Sequence, residues 1–186
     1  MPVQLTGAGG RLTATLDLGP AFPPEVLREL GNGLSNVVAV YVVVVPEAGG
    51  EPVAIYGRIV DVLYDVWEET FAVTVKDPRT PRGSHLVVPT AAGLRTLLVS
   101  GRDLDLGPLP IFPAGRLVLE ARVEVNPVSK EQLQRTRDFI ASASPRAGGA
   151  RSVLGAMAGY LLREPTPDSE VRVFRSRPFE VARVPK

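Results

Sequence analysis

Nine residues, Val37-Val38-Ala39-Val40-Tyr41-Val42-Val43-Val44-Val45, decide the fold class. A strand with one wet face alternates apolar and polar side chains, and this run does not alternate. It is also far too short to cross a bilayer as a helix, which takes about 20 apolar residues. The run therefore predicts a central strand buried on both faces. Something must cover the side that a simple two-layer sandwich leaves to water, either the protein's own helix or a partner.

Upstream, Leu12-Thr-Ala-Thr-Leu-Asp-Leu18 places apolar residues at every second position and reads as a half-buried strand. Phe22-Pro-Pro-Glu-Val-Leu-Arg-Glu-Leu-Gly31 reads as a two-turn helix, with prolines at its start, Glu25 near the positive end and Gly31 as its stop. Downstream, Pro46 and Gly49-Gly50 close the valine strand. Two longer strands follow, over about Val53–Tyr64 and Glu69–Val75, with Tyr64-Asp-Val-Trp67 near their junction. Asp77 to Gly83 is a loop, His85–Val88 a short strand, and Thr90 caps a helix through Leu98 that Gly101 ends.

Leu117, Leu119, Ala121, Val123 and Val125 face one way while Glu120, Arg122, Glu124 and Asn126 face the other, the clearest amphipathic strand in the chain. Ser129-x-x-Gln132 is a capping box that opens a helix to about Ser142. Residues 144–150, around Gly148-Gly149, form a hinge loop before a second helix over 151–163. Strands at Val171–Arg175 and Phe179–Arg183 close the chain. The whole of 1–186 reads as a single domain with a flexible start over 1–11.

The composition is ordinary for a globular chain, with 45% hydrophobic and 22% charged residues. The net charge of +1 supplies no global field to attract nucleic acid or an anionic membrane. Charge is unevenly placed: residues 1–126 hold 10 basic and 14 acidic residues, whereas 127–186 hold 11 and 6. Absence of cysteine excludes disulfides, thiol nucleophiles and thiolate metal sites, but it does not decide the compartment. Met1-Pro2-Val3-Gln4 has neither the basic start nor the apolar core of a secretory signal.

Three stretches carry a family resemblance. The first runs from Leu16-Asp-Leu through Pro24-Glu-Val-Leu-Arg-Glu-Leu and Gly33-Leu-Ser into the valine strand. The second is Tyr64-Asp-Val-Trp-Glu-Glu-Thr-Phe71. The third is Arg122-Val-Glu-Val-Asn-Pro127, with Phe174-Arg-Ser-Arg-Pro-Phe179 closing the chain. Together they resemble the proteobacterial family known only as domain of unknown function 4390. The resemblance covers most of residues 12–180. It implies a periplasmic or otherwise extracytoplasmic location and no established activity.

Chemistry is harder to find. His85 is the only histidine, and Ser84 beside it points away if both lie on a strand, so no nucleophile pair is visible. Asp103-Leu-Asp105 lacks the further oxygen ligands of a calcium loop and reads as turn-forming. Asp61 and Asp65, with Glu68 and Glu69, read as a solvated acidic strand face. An enzyme would require carboxylate-only chemistry at Asp61, Asp65 or Glu68. Gly7-Ala-Gly-Gly10 is no phosphate cradle, because a strand rather than a helix follows it. Arg172, Arg175, Arg177 and Arg183, interleaved with Phe174 and Phe179, read as a charged edge strand rather than a nucleic-acid platform.

The strongest candidate surface is the helix over 151–163. Val153, Leu154, Met157 and Leu161 form an apolar stripe, and Gly155 and Gly159 lie one turn apart. Either this helix covers the outer face of the valine strand, or it swings from its hinge onto a partner or a membrane interface. Its length excludes a transmembrane span.

The resulting expectation is an α+β, β-rich domain: an antiparallel sandwich-like core with two or three helices, the C-terminal helices covering one sheet. The expected function is non-enzymatic, an envelope-associated protein binding a partner protein or itself, without cofactor, metal or nucleic acid. Val153, Leu154, Met157, Leu161 and Trp67 are the candidate partner-binding residues. The alternative is a small-molecule or lipid-binding β module with its pocket between helix and sheet, beside Tyr41, Trp67 and Phe71.

Overall fold

The computed structural model describes residues 3–77, 82–126 and 171–184. The chain opens with a hairpin of β1 (Val3–Ala8) and β2 (Arg11–Asp17). Gly9 and Gly10 turn it with φ of 58° and 74°, the left-handed pair that a two-residue hairpin loop requires. The start expected to be flexible is thus a paired strand, and the glycines that suggested looseness are its turn. Alternation along β2 buries Leu12, Ala14 and Leu16, as their spacing predicted.

The helix α1 (Pro24–Leu30) follows, with Glu25 in its first turn and Val26 and Leu30 facing the core. Four antiparallel strands come next: β3 (Ser35–Pro46), β4 (Ala54–Asp65), β5 (Thr70–Lys76) and β6 (Ser84–Val88). Helix α2 (Ala91–Val99) is capped by Thr90, whose Oγ1 accepts the Gly93 N–H at 3.0 Å.

The chain then enters β7 (Ser100–Pro108), which pairs with β2. Asp103 and Asp105 therefore lie on a strand rather than on a free turn. Asp103 has φ of 49° where the register with β2 slips, a bulge that admits the extra residue. Asp105 pairs with Arg11 at 2.8 Å and also accepts the Gly107 N–H, so the Asx contact forms inside a strand. Last come β8 (Leu117–Val125) and β9 (Val171–Arg175). The strand expected at Phe179–Arg183 is a single bridge from Phe179 to Leu117 followed by a 3-10 turn at Val181–Arg183.

These strands make two antiparallel sheets, ordered β1-β2-β7 and β6-β5-β4-β3-β8-β9. One face of the larger sheet carries Val38, Val40, Val42 and Val44. It shares a core cluster with Leu12 and Leu16 of β2, Val26 and Leu30 of α1, Leu94 and Leu98 of α2, and Leu104 of β7. The smaller sheet and both described helices therefore contribute to this one core. Each buried valine contributes about 1.5–3 kcal/mol of apolar burial, which makes β3 the strand around which the fold closes.

The opposite face is buried as well. Among the described residues, Ala39, Tyr41, Val43, Val45, Ile59 and Val118 form a second cluster drawn from β3, β4 and β8. Tyr41, 1% exposed, lies between Gly57 of β4 and Arg122 of β8. The two-sided burial read from Val37–Val45 thus holds, while β8 departs from its expected pattern. Its polar face is not wet, because Arg122 and Glu124 are buried there. The helices expected over 129–142 and 151–163, and the hinge at 144–150, lie outside the described residues.

Candidate functional site

Exposed apolar residues gather at one end of the larger sheet, around the β4–β5 hairpin. Asp65 and Thr70 close the strand ladder, leaving a four-residue loop. Asp65 Oδ1 accepts the backbone N–H of Trp67 at 2.9 Å and of Glu68 at 3.1 Å, and Glu69 completes the turn with φ of 53°. Beneath the loop Tyr64 and Phe71 pack with ring centroids 4.8 Å apart. A fixed tip thus holds Trp67 out with 90% of its surface exposed. An indole presented so far into water by a pinned loop is poorly explained by folding alone.

Neighbouring segments extend this surface. The chain leaving α1 bends at Gly33, with φ of 79°, where a Cβ would lie 3.3 Å from Val66 Cγ1. Leu34 follows at 66% exposure, and the next residue, Ser35, pairs with Leu63. Leu63 is opposite Ala72, which is opposite Val87, so a row of exposed apolar side chains crosses three strands. Beside that row runs a polar one. Asp61 holds Lys76 at 3.1 Å, and Thr74 Oγ1 lies 2.9 Å from His85 Nδ1. The two rows line a shallow groove of about 370 Å³.

This geometry sorts the sequence candidates. Trp67 stands at the tip of the hairpin loop, while Val153, Leu154, Met157 and Leu161 lie outside the described residues. His85 sits on the edge strand β6 and meets Thr74 rather than a serine nucleophile. Asp61 is ion-paired with Lys76, and Asp65 Oδ1 accepts the backbone N–H groups of the turn. Tyr41 and Phe71 belong to the clusters on opposite faces of the sheet, and Trp67 lies outside both. These three therefore do not line one pocket. Among the described residues no group of three or more His, Cys, Asp or Glu side chains is placed to hold a metal ion. No described helix is long and apolar enough to cross a membrane.

No family model matches the chain, and no curated protein or solved structure matches it.

Polar residues at the end of β8 hold the fold together. In Arg122-Val-Glu-Val-Asn126, Arg122 and Glu124 pair with each other. Asn126 takes φ of 48°, accepts the Val37 N–H at 2.9 Å, and donates to Glu29 Oε1 at 2.8 Å and Asn36 Oδ1 at 2.9 Å. One asparagine thereby ties the end of β8 to β3 and α1. Arg58 of β4 was not singled out by sequence reasoning. Its guanidinium donates to the carbonyls of Ser100 at 3.0 Å and Leu97 at 3.4 Å, capping the C-terminal end of α2. Burial lowers its pKa, against the raising influence of Tyr56 and Asp77, and a guanidinium so placed is still a cation at neutral pH.

Proposed function

We propose that this chain is a non-enzymatic protein of the bacterial envelope that binds a partner protein through the β4–β5 hairpin end. The observation that carries this reading is Trp67, 90% exposed on a loop pinned by Asp65. Exposed aromatics on rigid supports are the usual anchors of protein interfaces, since they offer large contact area at small entropic cost. Leu34, Val66 and Leu63 supply an apolar surround, while Asp61, Lys76 and His85 give a polar margin. The location follows the resemblance to domain of unknown function 4390 and stands or falls with it.

In this reading the C-terminal helices are not the docking surface. The cluster of Tyr41, Val43 and Val118 is buried, whereas α1, α2, β2 and β7 contribute to the other cluster. The stripe of Val153, Leu154, Met157 and Leu161 is the part of the chain whose pattern suits that second face.

A photo-crosslinking residue placed at position 68, beside the retained Trp67, tests the proposal in the native cell. Recovery of one abundant envelope protein, lost when Leu34 or Val66 is also changed to aspartate, supports it. Recovery of this chain alone would make the surface a self-association site. Recovery of nothing would overturn the reading.

A further inference from the structure

A second cleft lies between β1 and the segment that follows β9. Its floor is apolar: Val3 and Leu5 of β1 face Pro178 and Phe179, and Val3, Leu5 and Phe179 all pack against the main core. Two adjoining cavities share this floor, of about 490 and 610 Å³. The rim is basic. Arg116 and Arg183 border the first cavity and Arg175 and Arg177 the second, with Glu180 the only acidic residue among the described lining. Arg116, Arg175 and Arg183 hold Glu47, Glu120 and Glu180 respectively, whereas exposed Arg177 makes no ion pair among the described residues.

One wall of this cleft is a strand edge. Among the described residues β1 pairs with β2 alone. Sheet edges are ordinarily blocked by lysine, arginine, proline or an inward charge. The other end strand on this side, β9, follows that rule with Arg172 and Arg175. Val3-Gln-Leu-Thr-Gly-Ala8 has none of these devices. Every second residue of β1 turns its backbone N–H and C=O away from β2, and that edge beside an apolar floor and Arg177 matches an incoming strand. It would bring backbone groups for the edge, alternate apolar side chains for the floor and a carboxylate for Arg177.

We propose that this cleft binds an extended acidic segment of a partner protein by adding it as a strand to β1. Arg177, the rim arginine with no ion pair among the described residues, selects the acidic class, and the strand edge selects a peptide over an acyl chain, which would leave the backbone groups unmet. The site is independent of the Trp67 surface.

The experiment is fluorescence anisotropy with two labelled peptides, one alternating glutamate with valine and one alternating lysine with valine, followed by amide hydrogen exchange of the bound state. The expected result is saturable binding of the glutamate peptide alone, weakening as salt rises, with slowed exchange across Val3–Ala8. Arg177→Glu should weaken it about tenfold and Arg177→Ala less, while Trp67→Ala leaves it unchanged. Circular dichroism of each variant separates lost binding from lost folding. Equal binding of both peptides, absence of binding, or binding without protection of β1 overturns the proposal. Preferential uptake of fatty acid would instead assign the cleft to an anionic lipid.

Discussion

Arg122 Nε donates to Glu124 Oε1 at 2.7 Å, and the pair is buried, with side-chain exposures of 8% and 3%. The two residues sit one pleat apart on β8, so they share the face that also carries Tyr41. Charge placed there is costly to desolvate unless it is paired, and removing Glu124 takes a charge-assisted bond of 2.7 Å from a buried guanidinium. Glu124→Gln should therefore cost about 3 kcal/mol in urea denaturation. The double change Arg122→Met with Glu124→Met should cost less than the sum of the single changes, by about 1 kcal/mol or more. Strict additivity would show that the pair does not act as a unit.

Arg58 is the link between β4 and the end of α2. Arg58→Met removes two charge-assisted hydrogen bonds and leaves the Leu97 and Ser100 carbonyls without that donor, for a loss of about 2–3 kcal/mol. Arg58→Lys should recover only part, because a single ammonium does not reproduce the planar fork. Hydrogen exchange in the last turn of α2 should quicken in both variants. Unchanged exchange there would mean that the helix end is held by other contacts.

Thr90→Ala gives a smaller, local effect. The cap supplies one hydrogen bond to the Gly93 N–H, and its loss should cost about 1 kcal/mol. A thermal melt detects it, and a change near zero would show that water replaces the threonine oxygen.

The two-sided burial of Val37–Val45 was legible because a nine-residue apolar run has one physical meaning at that length. Helix α2 was legible because Thr90 is a capping residue, and the β4–β5 hairpin because its aromatic pair brackets a turn. β1 was missed because glycine permits both a disordered start and a left-handed turn, and only pairing with β2 decides between them. β7 was missed because Arg102-Asp-Leu-Asp105 is polar, and a strand whose charges are met by Arg11 looks like a loop. Arg122 and Glu124 were read as wet because alternation reports two faces but not which one water reaches. Trp67 was singled out by residue type alone, and its exposure depends on the Asp65 turn, which the motif held without revealing.

Trp67 is the only tryptophan in the chain, so its fluorescence reports on the hairpin end alone. In the free protein its emission should match that of indole in water and be quenched fully by acrylamide. Trp67→Ala should shift stability by no more than about 0.5 kcal/mol while abolishing partner capture. Asp65→Ala should keep the emission but weaken capture, because the tip is no longer pinned. Blue-shifted, protected emission in the isolated protein would contradict the exposed placement.

Met157→Glu discriminates between the two roles of the C-terminal helix. If its stripe covers the Tyr41 face, the substitution forces an unpaired charge against Val43, Val45 and Val118, and stability should fall by about 3 kcal/mol or more. Met157→Leu, nearly equal in volume, should cost under about 1.5 kcal/mol, so a large loss can be assigned to charge rather than shape. A docking helix behaves differently: the glutamate variant keeps its melting temperature and loses its partner. An unchanged melting temperature would thus remove the helix from the core. The burial of Tyr41 would then require another cover, and the docking role would pass from the hairpin end to Val153, Leu154, Met157 and Leu161.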